Sequence, residues 1–261
     1  MNMLIKQEGI ILKTIDYGES NKIATVLTKD SGKLSVMAKG AKKPNSRYAA
    51  VMQPFVYGSF VYFKGSGLPT ISQGEIILSF KQLHYDLFKA AHAAYITELI
   101  EKLTEERRPY VFLFDLLLLA LKQIDTGQDP EIIARIVDLK MLTVAGAKPN
   151  LDGCASCKSV ERDPIAFSIP FAGFLCSGCV HRDERAYPVT LSMVKLIRTL
   201  FYVDLTKLGS ISIKRETKER LHQIISSYYQ EYVGVTLKSQ RFIDQLKKVD
   251  GNHFKLDEKK D

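Results

Sequence analysis

The sequence predicts an α+β fold: a small β-barrel first, then an α-helical bundle interrupted by a four-cysteine module. Three observations predict it. Short apolar runs separated by turn residues fill the first eighty positions. Apolar spacing becomes helical near Gln82. The only cysteines, Cys154, Cys157, Cys176 and Cys179, form two C-x-x-C pairs separated by eighteen residues.

The β segments come first. Leu4–Ile15, Lys22–Thr28, Lys33–Ala38, Phe55–Phe63 and Thr70–Leu78 are rich in apolar and β-branched residues. Tyr17-Gly18, Asp30-Ser31-Gly32 and Gly65-Ser66-Gly67 supply turns between them. Five short strands in a segment of this length point to an OB-fold barrel over residues 1–80. Tyr57, Phe60, Tyr62 and Phe63 share one strand, and alternation sends some of them to the core; core packing is the preferred reading of the set, with an exposed aromatic platform as the alternative.

The helices follow over 81–249. Ala91, Tyr95, Leu99, Lys102 and Leu103 recur at helical spacing, predicting a helix from near Tyr85 to Glu105. Pro109 opens a second, through about Ile124. Asp129 and Pro130 open a third at its N-cap and first helical position, and Gly146 ends it. Later helices are expected from Thr190 to Phe201, Arg215 to Tyr232 and Ser239 to Lys247, with a frayed polar tail at 250–261.

The cysteine module, 151–182, interrupts this helical series. Two close thiol pairs at this separation suit a single tetrahedral Zn²⁺. Four thiolates close the coordination shell, so the ion is expected to be structural. Gly153 and Gly178 are read as permitting unusual backbone angles at the knuckles. Phe167, Ile169 and Phe171 alternate between the pairs, predicting a hairpin that turns at Gly173. Paired disulfides require an oxidising compartment, whereas the opening residues lack a signal-peptide pattern and no such peptide is expected; a redox site needs only one pair. His181 reads as a solvated neighbour of the ligands.

The chain has 261 residues and a net charge of +8, which favours polyanionic partners. The charge concentrates between two expected strands. Lys39-Gly40-Ala41-Lys42-Lys43-Pro44-Asn45-Ser46-Arg47-Tyr48 holds four basic residues and no acid. It reads as a mobile loop that follows a phosphate backbone, with Tyr48 able to stack on a base. Lys214, Arg215, Lys218 and Arg220 lie among Glu216 and Glu219, so intrahelical pairing accounts for much of that second cluster. Lys238, Arg241, Lys247 and Lys248 form a third, read as a solvated helix surface in preference to an extension of the same anion-binding face.

Signatures of catalysis are lacking. The sequence contains no GxxxxGK[ST], G-x-S-x-G or H-E-x-x-H, and Gly65-Ser66-Gly67 lacks the third glycine of a dinucleotide site. Histidines 84, 92, 181, 222 and 253 are scattered. The most apolar run, Val111–Leu121, is shorter than a membrane span and contains Asp115. The expectation is a cytoplasmic protein that is not an enzyme and has no membrane partner. A zinc-stabilised scaffold for protein assembly, with incidental DNA contact, is the alternative.

Taken together, these segments resemble the bacterial recombination mediator family RecO across essentially the whole chain. Glu8–Lys13 with Asp16–Ser20 is similar to the family's first strand and turn. Lys39–Lys43, Ser46-Arg47 and Gln53-Pro54-Phe55 are similar to its signature loop and next strand. Leu237-Lys238-Ser239 with Arg241-Phe242 resembles its closing segment. The resemblance implies an OB-fold that binds single- and double-stranded DNA, and annealing of complementary strands. It implies assistance to RecA loading on DNA coated by single-strand-binding protein (SSB), partnership with RecR, contact with the SSB C-terminal tail, and a nucleoid-associated location. It assigns Lys39, Lys42, Lys43 and Arg47 as DNA-binding candidates. Some family members lack the cysteines, which implies that zinc supports structure rather than the shared activity. No motif locates a pocket for the SSB tail.

Overall fold

The computed structural model describes residues 3–257, with side-chain environments given through Lys248. Five strands close a barrel in the order β1-β2-β3-β5-β4: β1 (Met3–Tyr17), β2 (Asn21–Thr28), β3 (Gly32–Ala38), β4 (Tyr57–Lys64) and β5 (Thr70–Leu78). This is OB-fold topology. The long β1 makes closure feasible. Its first half pairs with β4, from Met3↔Lys64 to Ile10↔Tyr57, and its second half pairs with β2, from Gly9↔Thr28 to Tyr17↔Asn21. A register shift between Ile11 and Lys13 breaks the alternation there. Gly9, Ile10, Ile11 and Leu12 are consequently all buried. Parallel pairing of Met37 with Thr70 joins β3 to β5.

The sequence places these strands to within about two residues, with one informative difference. Phe55 and Val56 precede β4 rather than opening it. Phe55 is left-handed, with φ 71°. It donates its N–H to the Ile11 carbonyl at 2.9 Å, while the Ile11 N–H donates to the Val56 carbonyl at 2.9 Å.

The first expected helix is split into α1 (Lys81–Tyr85) and α2 (Leu87–Leu103). Asp86 divides them: its side chain accepts from the N–H groups of Phe88 and Lys89 and starts α2 afresh. α3 (Val111–Asp125), α4 (Pro130–Val144), α5 (Leu191–Tyr202), α6 (Arg215–Tyr232) and α7 (Lys238–Asp257) complete the helices. Thr190 caps α5 as expected, accepting from the Met193 N–H. α7 continues past Lys247 to Asp257, so the expected tail begins inside a helix; residues 258–261 lie outside the described part. Among the described residues, no helix is long and apolar enough to cross a membrane.

Contacts divide the chain into two compact units. One comprises the residues through Pro130 together with those from Leu237 onward; the other is Glu131–Thr236. The stretch 81–249, expected as one helical domain, is therefore shared between them. In the second unit, a small sheet of order β7-β6-β8 is formed by β6 (Pro164–Ser168), β7 (Gly173–Cys176) and β8 (Tyr187–Pro188). It lies in the chain between α4 and α5.

Candidate nucleic-acid interface and metal centre

The basic segment leaves β3 at Lys39 and returns to β4 at Tyr57. It is pinned rather than mobile. Ala41, Tyr48, Val51, Met52 and Val56 bury their side chains in the barrel cluster with Ile11, Phe60, Tyr62 and Ile71. The Gly40 N–H donates to Asn21 Oδ1 at 2.9 Å, and the Lys42 N–H to the Ser20 carbonyl at 2.9 Å. Further along, the Met52 N–H donates to the Tyr48 carbonyl at 3.0 Å. The apolar side of the segment thus closes onto the barrel, leaving Lys39, Lys43 and Arg47 exposed on the other.

These three side chains line a groove of about 760 Å³ together with Asn45, Tyr48, Phe63, Thr70 and Ser72. Lys42, also expected as a DNA contact, does not line it. Its ammonium instead pairs with Asp16 Oδ2 at 3.0 Å. Tyr48 departs further from expectation. It is only 6% exposed, and its hydroxyl lies 3.2 Å from the Ile71 carbonyl and 3.0 Å from the Ser72 carbonyl. That hydroxyl also accepts from Arg47 Nη2 at 2.8 Å, and the Arg47 guanidinium lies 4.9 Å from the centre of the Tyr48 ring. Tyr48 therefore forms the floor of the groove and orients Arg47; its own face is not available to a base.

The exposed aromatic is Phe63. Along β4, Phe60 and Tyr62 are buried whereas Phe63 is 46% exposed. Strand parity was the available signal. Phe60 and Tyr62 share one face, so Phe63 belongs to the other. Choosing among the four aromatics required knowing which face the barrel covers.

The cysteines converge. The four Sγ atoms all lie within 4.8 Å of one another, with Cys154, Cys176 and Cys179 buried and Cys157 exposed. The Cys157 and Cys176 sulfurs are 3.8 Å apart. A disulfide requires ~2.05 Å. Four sulfurs at ~2.3 Å from one tetrahedral Zn²⁺ stand roughly 3.8 Å from each other, so the cluster fits such an ion. The Cys176 N–H points at Cys154 Sγ, 3.5 Å away. Burial pushes the Cys154 thiol up, but N–H groups of Cys157, Cys176 and Ser156 outweigh it and hold the thiol at about 6. Cys179 is pushed up to about 11. The Ser156 hydroxyl favours its thiolate, but burial and the other three sulfurs prevail. A bound cation would remove that conflict and allow all four sulfurs to ionise. His181 is exposed and outside the cluster.

The knuckle backbone differs from expectation. Left-handed residues are Lys158, φ 62°, and Ala172, φ 51°, rather than Gly153 and Gly178. The hairpin turns through Ile169–Ala172, and Gly173 opens β7. A Cβ at Gly173 would lie 2.3 Å from the Asn150 carbonyl oxygen, so glycine is required for close approach there, not for the turn. Around the cluster, Arg198 Nε donates to the Leu151 carbonyl at 2.6 Å, and the Tyr202 hydroxyl donates to Asp152 Oδ1 at 2.9 Å. These bonds fasten the module to α5. Tyr187 and Ser227 hydroxyls, 2.7 Å apart, and the Tyr232 hydroxyl donating to the Ile169 carbonyl at 2.6 Å fasten it to α6.

The second basic cluster is partly self-paired: Arg215 Nε donates to Glu219 Oε1 at 2.8 Å along α6. Arg220 stands 5.2 Å over the Tyr187 ring.

Comparison with known proteins agrees over both parts of the chain. The model for "Recombination protein O N terminal" matches residues 1–80, and that for "Recombination protein O C terminal" matches 84–241. The DNA repair protein RecO of Shouchella clausii is 67% identical over 249 residues, covering 95% of this chain and 97% of the relative. The DNA repair protein RecO of Halalkalibacterium halodurans is 49% identical over 247 residues, covering 95% and 97%. That of Bacillus subtilis is 49% identical over 247 residues, covering 95% and 96%.

Proposed function

The chain belongs to the RecO family, and from that premise we propose that it is a non-enzymatic mediator of recombination in DNA repair. It binds single- and double-stranded DNA and anneals complementary strands. With RecR, it assists RecA loading on DNA coated by SSB, whose C-terminal tail it contacts. Its place of action is the cytoplasm, at the nucleoid.

The observation that carries this reading is the groove flanked by Lys39, Lys43 and Arg47 on the OB barrel. Annealing forms no covalent bond. It needs two polyanions held close while their mutual repulsion is screened. Each basic side chain that neutralises a phosphate releases a counterion, which makes binding salt-dependent and indifferent to sequence. Phosphate contacts leave the base edges free to pair.

The four cysteines are assigned one structural Zn²⁺. A closed shell of four thiolates leaves no coordination position for a substrate or water, so the ion supports the second unit rather than chemistry.

Replacing Lys39, Lys43 and Arg47 together by alanine tests the reading. Affinity for single-stranded DNA should fall by at least tenfold at ~100 mM salt, and the dependence of log affinity on log salt should become shallower by up to about three phosphates' worth. An unchanged affinity and salt slope would exclude the groove as the site.

A further inference from the structure

We infer that Phe63 is the residue by which the groove selects single-stranded over double-stranded DNA, by stacking one unpaired base on its ring. The inference rests on the reading of the groove as the DNA site and adds to it a basis for choosing between strand states.

Three features converge on this residue. Phe63 is exposed at 46%, while its strand neighbours Phe60 and Tyr62 are buried. The ring lies in the same groove as Lys39, Lys43 and Arg47. The other aromatic of the groove, Tyr48, has no face to offer, because the barrel covers it and Arg47 stands over it. Phe63 is thus the aromatic side chain of the groove able to meet a base.

The chemistry that would cover the ring is restricted. An aliphatic partner would satisfy its hydrophobic surface but not the surrounding positive charge. A nucleotide satisfies both, with a flat aromatic face and an anionic phosphate within one residue of each other. Base–aromatic stacking is tolerant of sequence because every base has a π-face. It also requires the base to leave its duplex stack, so the contact is offered only to unpaired strands. The basic side chains do not discriminate in this way, since both strand forms carry phosphates. Stacking uses the face of the base and leaves its pairing edge exposed to a complementary strand. That geometry suits a protein that brings strands together.

The test compares wild type, Phe63→Leu and Phe63→Tyr, each with zinc bound. Equilibrium binding is measured for a dT-rich single strand carrying one 2-aminopurine and for a duplex of equal length, across a salt series. The Leu variant should bind the single strand on the order of tenfold more weakly and lose most of the 2-aminopurine quenching, as expected for loss of one stacked base. The Tyr variant should restore both. Duplex affinity and the salt slope should match wild type in all three proteins, which also verifies that the barrel remains folded. Unchanged single-strand affinity in the Leu variant, or equal losses for single strand and duplex, would overturn the inference while leaving the DNA site standing. Wild-type protein that binds neither DNA would overturn the underlying reading as well.

Discussion

The Glu98 carboxylate on α2 receives Ser239 at the start of α7: Oε2 accepts the Ser239 N–H at 2.8 Å and its hydroxyl at 2.6 Å. Oε1 accepts the Lys238 N–H at 3.0 Å. One carboxylate, 141 residues away in sequence, therefore caps the final helix. It satisfies two otherwise orphaned N–H groups and places negative charge at the positive end of the helix dipole.

Glu98→Ala should destabilise the barrel-containing unit by about 1–2 kcal/mol, the range for loss of a helix cap. Burial raises the Glu98 pKa, but the Ser239 hydroxyl and amide, the Lys238 amide and the Lys102 charge together hold it below its ordinary value. A carboxylate whose folded pKa is depressed stabilises fully above its unfolded pKa, ~4.3, and ceases to do so as pH falls through the folded value. Urea denaturation at a series of pH values should show the gap between wild type and variant closing only below about pH 4.

One turn further along α2, at its C-terminal end, the Lys33 ammonium donates to the Glu101 and Thr104 carbonyls, each at 2.5 Å. A strand lysine thus closes the last turn of the helix. The side chain is 8% exposed, so burial is the main cause lowering its pKa, offset in part by Glu101 and Glu106. Lys33→Met keeps the aliphatic stem but leaves two carbonyls without this donor. The expected loss is about 2 kcal/mol, read as a lower denaturation midpoint at pH 7.

How much of this was legible in sequence depends on the range of the interactions. The strands were readable because Gly18, Gly32 and alternating apolar residues act locally. The cysteine cluster was readable because its spacing is a chemical requirement. The Asp86 break between α1 and α2 was written in an N-cap residue but hidden by continuous apolar periodicity. Other features are tertiary. Tyr48 sits among basic residues in sequence, but the barrel floor decides its burial. Ala41, Val51 and Met52 were the local hint that the segment packs inward. The requirement for Gly173 arises from the Asn150 carbonyl, more than twenty residues earlier in the chain. Neither the Glu98 cap nor the Lys33 clamp has a local signature.

The four basic residues of the loop should contribute unequally to DNA affinity. Lys42 is engaged with Asp16, whereas Lys39 and Lys43 line the groove. Lys42→Ala should therefore weaken binding less than Lys43→Ala. Asp16→Asn should strengthen binding modestly by releasing Lys42, by no more than about fivefold, since an exposed ion pair is worth ~1 kcal/mol at most. Filter-binding titrations at low salt separate the three variants. Equal losses for Lys42→Ala and Lys43→Ala would contradict this ranking.

Cys176 connects the metal centre to the packing of the second unit, so its loss should act on stability rather than on DNA binding. It is fully buried on β7, and its N–H supports the Cys154 sulfur. Two residues earlier, Phe174 packs edge-on against Phe167 with centroids 5.4 Å apart, and Phe167 meets Tyr228 of α6 at 5.8 Å. Slackening at the thiolate is thereby transmitted through two aromatic contacts to a helix. Wild-type protein should contain about one Zn²⁺ per chain, as four thiolates sharing one ion require. Cys176→Ala, or prolonged chelation, should remove it and cost more than ~4 kcal/mol, the scale on which loss of a structural metal is felt. The readouts are a lower melting temperature and faster proteolysis within Glu131–Thr236. Single-stranded DNA affinity should stay within about twofold at a temperature where the variant is folded, because the groove belongs to the other unit. An unchanged melt accompanied by lost DNA binding would assign the cluster to function instead of support.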